Sequence, residues 1–88
     1  MFKEAIFVRA NLRSANFNSA NVTDARFRDA QLQNSNFYNA TANRANFAET
    51  KMTSANFQHA TVVDAHFTAA DLNDANFAIA NIVWGYKS

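Results

Sequence analysis

An all-β solenoid with four sides and about four coils is the fold that this 88-residue sequence predicts. Three observations predict it. A five-residue unit is copied sixteen times from Ala5 to Trp84 without an insertion or a deletion. Its first place is small and its third place apolar in every copy. The third place also alternates between Phe and an aliphatic residue, so that Phe returns every ten residues. A fixed period outranks local propensity, because one short repeat cannot bury its apolar face alone and has to stack on its neighbours.

The first pentad reads Ala5-Ile6-Phe7-Val8-Arg9 and the last Ala80-Asn81-Ile82-Val83-Trp84. Place one is Ala in fourteen pentads, with Ser35 and Thr50 the departures; their hydroxyls are expected to bond the backbone. Place three holds Phe7, Phe17, Phe27, Phe37, Phe47, Phe57, Phe67 and Phe77. Between them stand Leu12, Val22, Leu32, Ala42, Met52, Val62, Leu72 and Ile82. These two series are the expected core. Places two, four and five are mostly polar, and Asn dominates place two.

Eighteen Ala residues would favour helix. The period forbids it, because successive third places would advance about 140° around a helix and no apolar stripe would form. Within a pentad the apolar places lie two apart, the spacing of one face of a strand. The next gap is three, which breaks the alternation and requires a corner. Asn, Asp, Ser and Thr at the corners can bond local backbone. Three sides per coil would stack Phe on aliphatic residues fifteen apart, whereas four sides stack like on like at twenty. The four-sided coil gives one column of Phe7, Phe27, Phe47 and Phe67 and an opposite one of Phe17, Phe37, Phe57 and Phe77, with rings about 4.8 Å apart.

In these residues the chain resembles the pentapeptide-repeat family, whose pattern is Ala, then Asp or Asn, then Leu or Phe, then two variable residues. The match runs from Ala5 to Trp84. The resemblance implies a right-handed quadrilateral β-helix, with the handedness taken from the family alone.

Composition narrows the function. The chain reads as one domain spanning 1–88, with Lys3-Glu4 before the pentads and Gly85-Tyr86-Lys87-Ser88 after them. With no Cys, disulfides and thiolate metal sites are excluded. The amino terminus has no apolar run like a signal peptide's and nothing approaches membrane-spanning length, so a cytoplasmic protein without a membrane partner is expected. Net charge is +1, and the one basic concentration, Arg9, Arg13, Arg26 and Arg28, lacks the interleaved aromatics of a nucleic-acid site. His59 and His66 fall on different faces with no carboxylate pair or phosphate loop to join them, so no catalytic, cofactor or metal site is expected.

Stacking at twenty residues turns the sequence into surface columns. Asn16, Asn36, Asn56 and Asn76 form a ladder of amides expected to bond from coil to coil, on a face without formal charge and with Tyr38 at its centre. Asp24, Arg44 and Asp64 alternate in sign, Lys51 lies beneath Asp71 and Arg9 beneath Asp29, a surface expected to neutralise itself. Phe2 is in register to act as a lid at the amino end. Ile79, Val83, Trp84 and Tyr86 gather apolar surface at the other, where the chain either folds back as a cap or pairs end to end as a homodimer through its C-terminal coil. The candidate interface is therefore Trp84, Tyr86, Ile79, Tyr38 and Asn36, and the expected function is a non-catalytic protein-interaction or scaffolding module. The resemblance supplies an alternative, since some family members imitate duplex DNA and bind DNA gyrase. Those members are acidic and longer than this chain.

Overall fold

The structure is a computed structural model that describes residues 2–83. The chain winds in steps of five residues, and each place-two residue pairs in parallel with the residue twenty positions later, from Ile6↔Arg26 through Asn56↔Asn76. The pairing is mostly one residue wide. Among the described residues it broadens into two strands only on the fourth side, β1 (Thr61–Val63) and β2 (Asn81–Val83), in register Thr61↔Asn81, Val62↔Ile82 and Val63↔Val83. The Cα extents are 27 × 26 × 22 Å.

The backbone bonds repeat with the pentad. Phe7 N–H donates to the Arg26 carbonyl at 2.7 Å and Arg9 N–H to that of Arg28 at 2.9 Å, while Arg26 N–H donates back to Ala5 at 2.9 Å. The N–H groups of places two, three and five are thus spent between coils. Place one closes the corner, as in the Ala10 N–H bond to Phe7 at 3.0 Å. In the inner coils the place-four N–H is the one left without a backbone partner among the described residues, and a buried or half-buried donor needs one. Asn or Asp at place two supplies it: Asn16, Asn36, Asn56 and Asn76 Oδ1 each accept from the N–H two residues on, at 2.9 Å. That local bond corrects the expected amide ladder, whose side-chain oxygens serve their own corners and not the next coil. Where Thr61 replaces Asn at place two, Asn43 Oδ1 reaches across from the preceding coil to Val63 N–H at 3.2 Å.

Each corner is a turn from place three to place one with positive φ at its third residue alone, the signature of a type II turn. Place five carries that angle in every pentad from Glu4 to Ile79, with φ between 58° and 62° and no Gly among them.

The interior is the expected one. Phe17, Phe27, Phe37, Phe47, Phe57, Leu32, Met52, Val22 and Val62 are buried, and Phe7, Leu12, Phe67, Leu72 and Phe77 pack against them half-buried in the end coils. Rings stack within each column, Phe17 on Phe37 at 4.8 Å and Phe37 on Phe57 at 4.6 Å, with planes 10° and 8° apart. The two columns also interlock edge to face, as Phe37 does with Phe47 at 5.7 Å and 89°. Phe2 closes the amino end against Phe7 and Phe17 at 6.0 and 5.5 Å. Thr50 Oγ1 donates to the Phe47 carbonyl at 2.8 Å, as expected of it. Ser35 Oγ does not follow, and is buried without a hydrogen-bond partner.

Candidate functional site

The coil has four lateral faces, and the third carries the candidate residues. It is built from pentads 15–19, 35–39, 55–59 and 75–79, which contain no Asp, Glu, Lys or Arg. Parallel pairing of Asn16 with Asn36, Asn36 with Asn56 and Asn56 with Asn76 holds its rows in register. Asn36 Oδ1 accepts from Tyr38 N–H and so fixes the backbone that presents the tyrosine. Tyr38 is 37% exposed and meets the His59 ring edge-on, with centroids 5.3 Å apart and planes at 70°. His59 N–H donates to the Ala78 carbonyl at 3.2 Å, which sets the row carrying Ile79 beside it. Ile79 is 73% exposed at φ 58°.

Tyr38, His59 and Ile79 therefore stand on successive coils of a polar, uncharged face, with Tyr38 against His59 and Ile79 one coil further on at the same place as His59. His59 was missing from the sequence-derived interface. Its signal was present, since it lies twenty-one residues beyond Tyr38, one place further on and one coil later. Trp84 and Tyr86 lie outside the described residues.

The charged faces differ from expectation in detail. Arg44 grips Asp24 with two bonds, Nε to Oδ1 at 2.9 Å and Nη2 to Oδ2 at 3.1 Å. The hydrogen bond from Arg44 is the first cause holding the Asp24 carboxyl below its ordinary pKa, and the same bond raises that of Arg44. Among the described residues no ion pair joins Lys51 to Asp71 or Arg9 to Asp29, a correction to the expected columns. Asp71 is turned to its own corner, accepting from Asn73 N–H at 3.1 Å. Arg28 instead bridges to Glu49 at 3.0 Å, one place across and one coil on. Among the described residues no group of three or more His, Asp or Glu could hold a metal ion, and no helix is long and apolar enough to cross a membrane.

The profile of the pentapeptide repeats matches in eight copies, over residues 2–34 and 30–68. The chain belongs to the pentapeptide-repeat family. Solved pentapeptide-repeat structures share its fold. A protein from the Arabidopsis thaliana thylakoid lumen superposes with a TM-score of 0.69 at 21% identity, over 90% of this chain and 59% of that one. One from the cyanobacterium Cyanothece 51142 gives 0.60 at 17% identity, over 80% and 64%. A third, from Nostoc PCC 7120, gives 0.52 at 23% identity, over 80% and 62%. The chain thus spans about three fifths of the length of these neighbours. As in these pentapeptide-repeat proteins, the coil is a right-handed quadrilateral β-helix. No curated protein matches the sequence.

Proposed function

We propose that this pentapeptide-repeat protein is a non-catalytic interaction module that docks a protein partner on its third lateral face. The observation that carries the reading is Ile79. A β-branched residue at positive φ is strained, and here the side chain is exposed and packs no core that would offset the strain. Strain kept at an exposed apolar residue points to a use for that side chain, and Tyr38 and His59 extend the same surface. Aromatic residues at the centre of a polar rim are the usual anchors of an interface. The face carries no formal charge, so partner choice rests on shape and amide hydrogen bonds.

The DNA-imitating alternative needs like negative charge repeated at phosphate spacing. The column that would supply it is interrupted, because Arg44 is clamped onto Asp24.

Affinity capture from a lysate of the host cells tests the reading, with the wild-type chain, Tyr38→Arg and Asn73→Arg as baits. Asn73 is exposed on the second face and serves as the control. A partner retained by wild type and Asn73→Arg but lost by Tyr38→Arg supports the third face. The same partner on all three baits would move the site elsewhere, and turnover of a small substrate by the pure chain would end the non-catalytic reading.

A further inference from the structure

The repeating bond scheme leaves the first and last coils with different unspent groups. At the amino edge, among the described residues, the N–H groups of Ile6, Asn11 and Asn16 have no partner, and neither do the carbonyls of Ile6, Val8, Asn11, Arg13, Asn16 and Asn18. Each of those three sides therefore offers one donor and two acceptors. At the carboxyl edge, Leu72, Asp74, Phe77 and Ile79 keep free N–H groups, and Ala70 and Ala75 keep free carbonyls. Each of those two sides offers two donors and one acceptor. The sets are complements, and they are the same groups that bond coil to coil inside the chain.

Charge follows the same axis. Residues 1–44 carry Lys3, Arg9, Arg13, Arg26, Arg28 and Arg44 against Glu4, Asp24 and Asp29, a net +3. Residues 45–88 carry Lys51 and Lys87 against Glu49, Asp64, Asp71 and Asp74, a net −2, which together give the chain's +1. No ion pair among the described residues uses Lys3, Arg9 or Arg13 at one end, or Asp71 or Asp74 at the other. Apolar side chains among the described residues also reach both ends. Phe2 is 39% exposed at one, and Leu72, Phe77 and Ile82 are half-buried at the other.

We propose that the 88-residue chain associates head to tail, the amino edge of one copy adding onto the carboxyl edge of the next by strand-edge hydrogen bonds and opposite charge. Two carboxyl edges cannot do the same. They would set surplus donors against donors and Asp71 and Asp74 against their own copies, so the complementarity argues against the tail-to-tail arrangement. A contact between unlike surfaces is heterologous and does not close at two copies. An unpaired strand edge is a known template for such addition. Ile79 belongs to both the carboxyl edge and the third face, so the test rests on charge variants at Arg9, Arg13, Asp71 and Asp74, none of which lies on the third face.

Sedimentation velocity on the full chain, across concentration and salt, tests it. The expected weight-average mass rises past twice 9.8 kDa without a plateau at high micromolar concentration in low salt. It falls back as salt shortens the Debye length to about 3 Å at 1 M. Arg9→Glu with Arg13→Glu makes both ends acidic. Asp71→Asn with Asp74→Lys makes both ends basic and keeps a side-chain oxygen for the Asn73 corner. Each double variant, with its fold checked by circular dichroism, is expected to self-associate at least tenfold more weakly than wild type. An equimolar mixture of the two is expected to restore assembly. A wild-type chain that stays monomeric, a mass that stops at the dimer, or a mixture no heavier than its separate components would overturn the proposal.

Discussion

Place five shows how a single residue position can be shaped by the fold against its own preference. Every described corner takes φ near 60° there, and none of these residues is Gly. Asn and Asp tolerate the left-handed region, while other side chains cost about 1–2 kcal/mol. In the earlier coils the cost is offset because the place-five N–H bonds the next coil, as Arg9 does to Arg28, whereas the N–H groups of Asp74 and Ile79 have no such bond. Ile79 has the least suitable side chain for the angle, so Ile79→Asn is expected to raise stability by roughly 1 kcal/mol, read as a higher melting temperature. An unchanged or lower value would show that the exposed isoleucine contributes packing that its exposure conceals. Ser35 is the matching case in the interior. Its hydroxyl is buried without a partner in a column otherwise filled by Ala15, Ala55 and Ala75. Ser35→Ala should stabilise by about 1 kcal/mol by removing an unsatisfied group, and a loss of stability in thermal unfolding would contradict that account. Neither strain nor the orphaned hydroxyl was legible in the sequence. A period of five announces a corner without stating which residue of it takes the positive angle, and Ser35 and Thr50 look equivalent until one is seen bonded and the other not.

At the scale of the column, most of the fold was legible. The strict alternation at place three decided the number of sides, since only a four-sided coil sets Phe on Phe, and the stacked pairs at 4.6 to 5.1 Å follow that register. The edge-to-face locking between the two columns was not legible, because it depends on ring tilt across the interior. Phe37 is held both ways, stacked on Phe17 and Phe57 and edge-on to Phe27 and Phe47. Phe37→Ala is therefore expected to cost about 3–5 kcal/mol, and denaturant unfolding that shows less than about 1 kcal/mol would mean the coils close over the gap. The column of Asp24 and Arg44 gives a pH dependence. The folded Asp24 pKa is depressed, so its contribution is complete above the ordinary carboxylate value of 3.8 and is lost as pH falls through the lower folded value. Asp24→Asn should leave the neutral-pH fold intact and flatten the acid limb of stability against pH below about 4. Retention of the full acid sensitivity in that variant would assign it to other carboxylates. Pairing by column alone misplaced Lys51 with Asp71 and Arg9 with Asp29, because a side chain that serves its own corner is no longer available to the neighbouring coil.

For the whole molecule, the candidate site was half legible. Counting in twenties placed Tyr38 and Asn36 on one uncharged face, while Ile79 was grouped with the apolar carboxyl end, and the ring contact that joins Tyr38 to His59 crosses from one column to the next and escapes a reading column by column. The difference in hydrogen-bonding capacity between the two ends was hidden for the same reason, since it resides in backbone groups that every sequence shares. The bond scheme also dictates how the chain should respond to force. Among the described residues every backbone bond between coils joins residues nineteen to twenty-one apart, as in Phe7 to Arg26 and Ala5 to Arg26, and none spans two coils. Tension applied between residues near the two ends of the stack can therefore peel an end coil without breaking the bonds of the coils beyond its neighbour, and its release exposes the next. Each release frees one coil of twenty residues, about 70 Å of extended backbone at 3.3 to 3.6 Å per residue. Stretching single molecules should give a ladder of such steps, and one rip spanning the entire contour would show that the Phe columns bind the coils into a single mechanical unit.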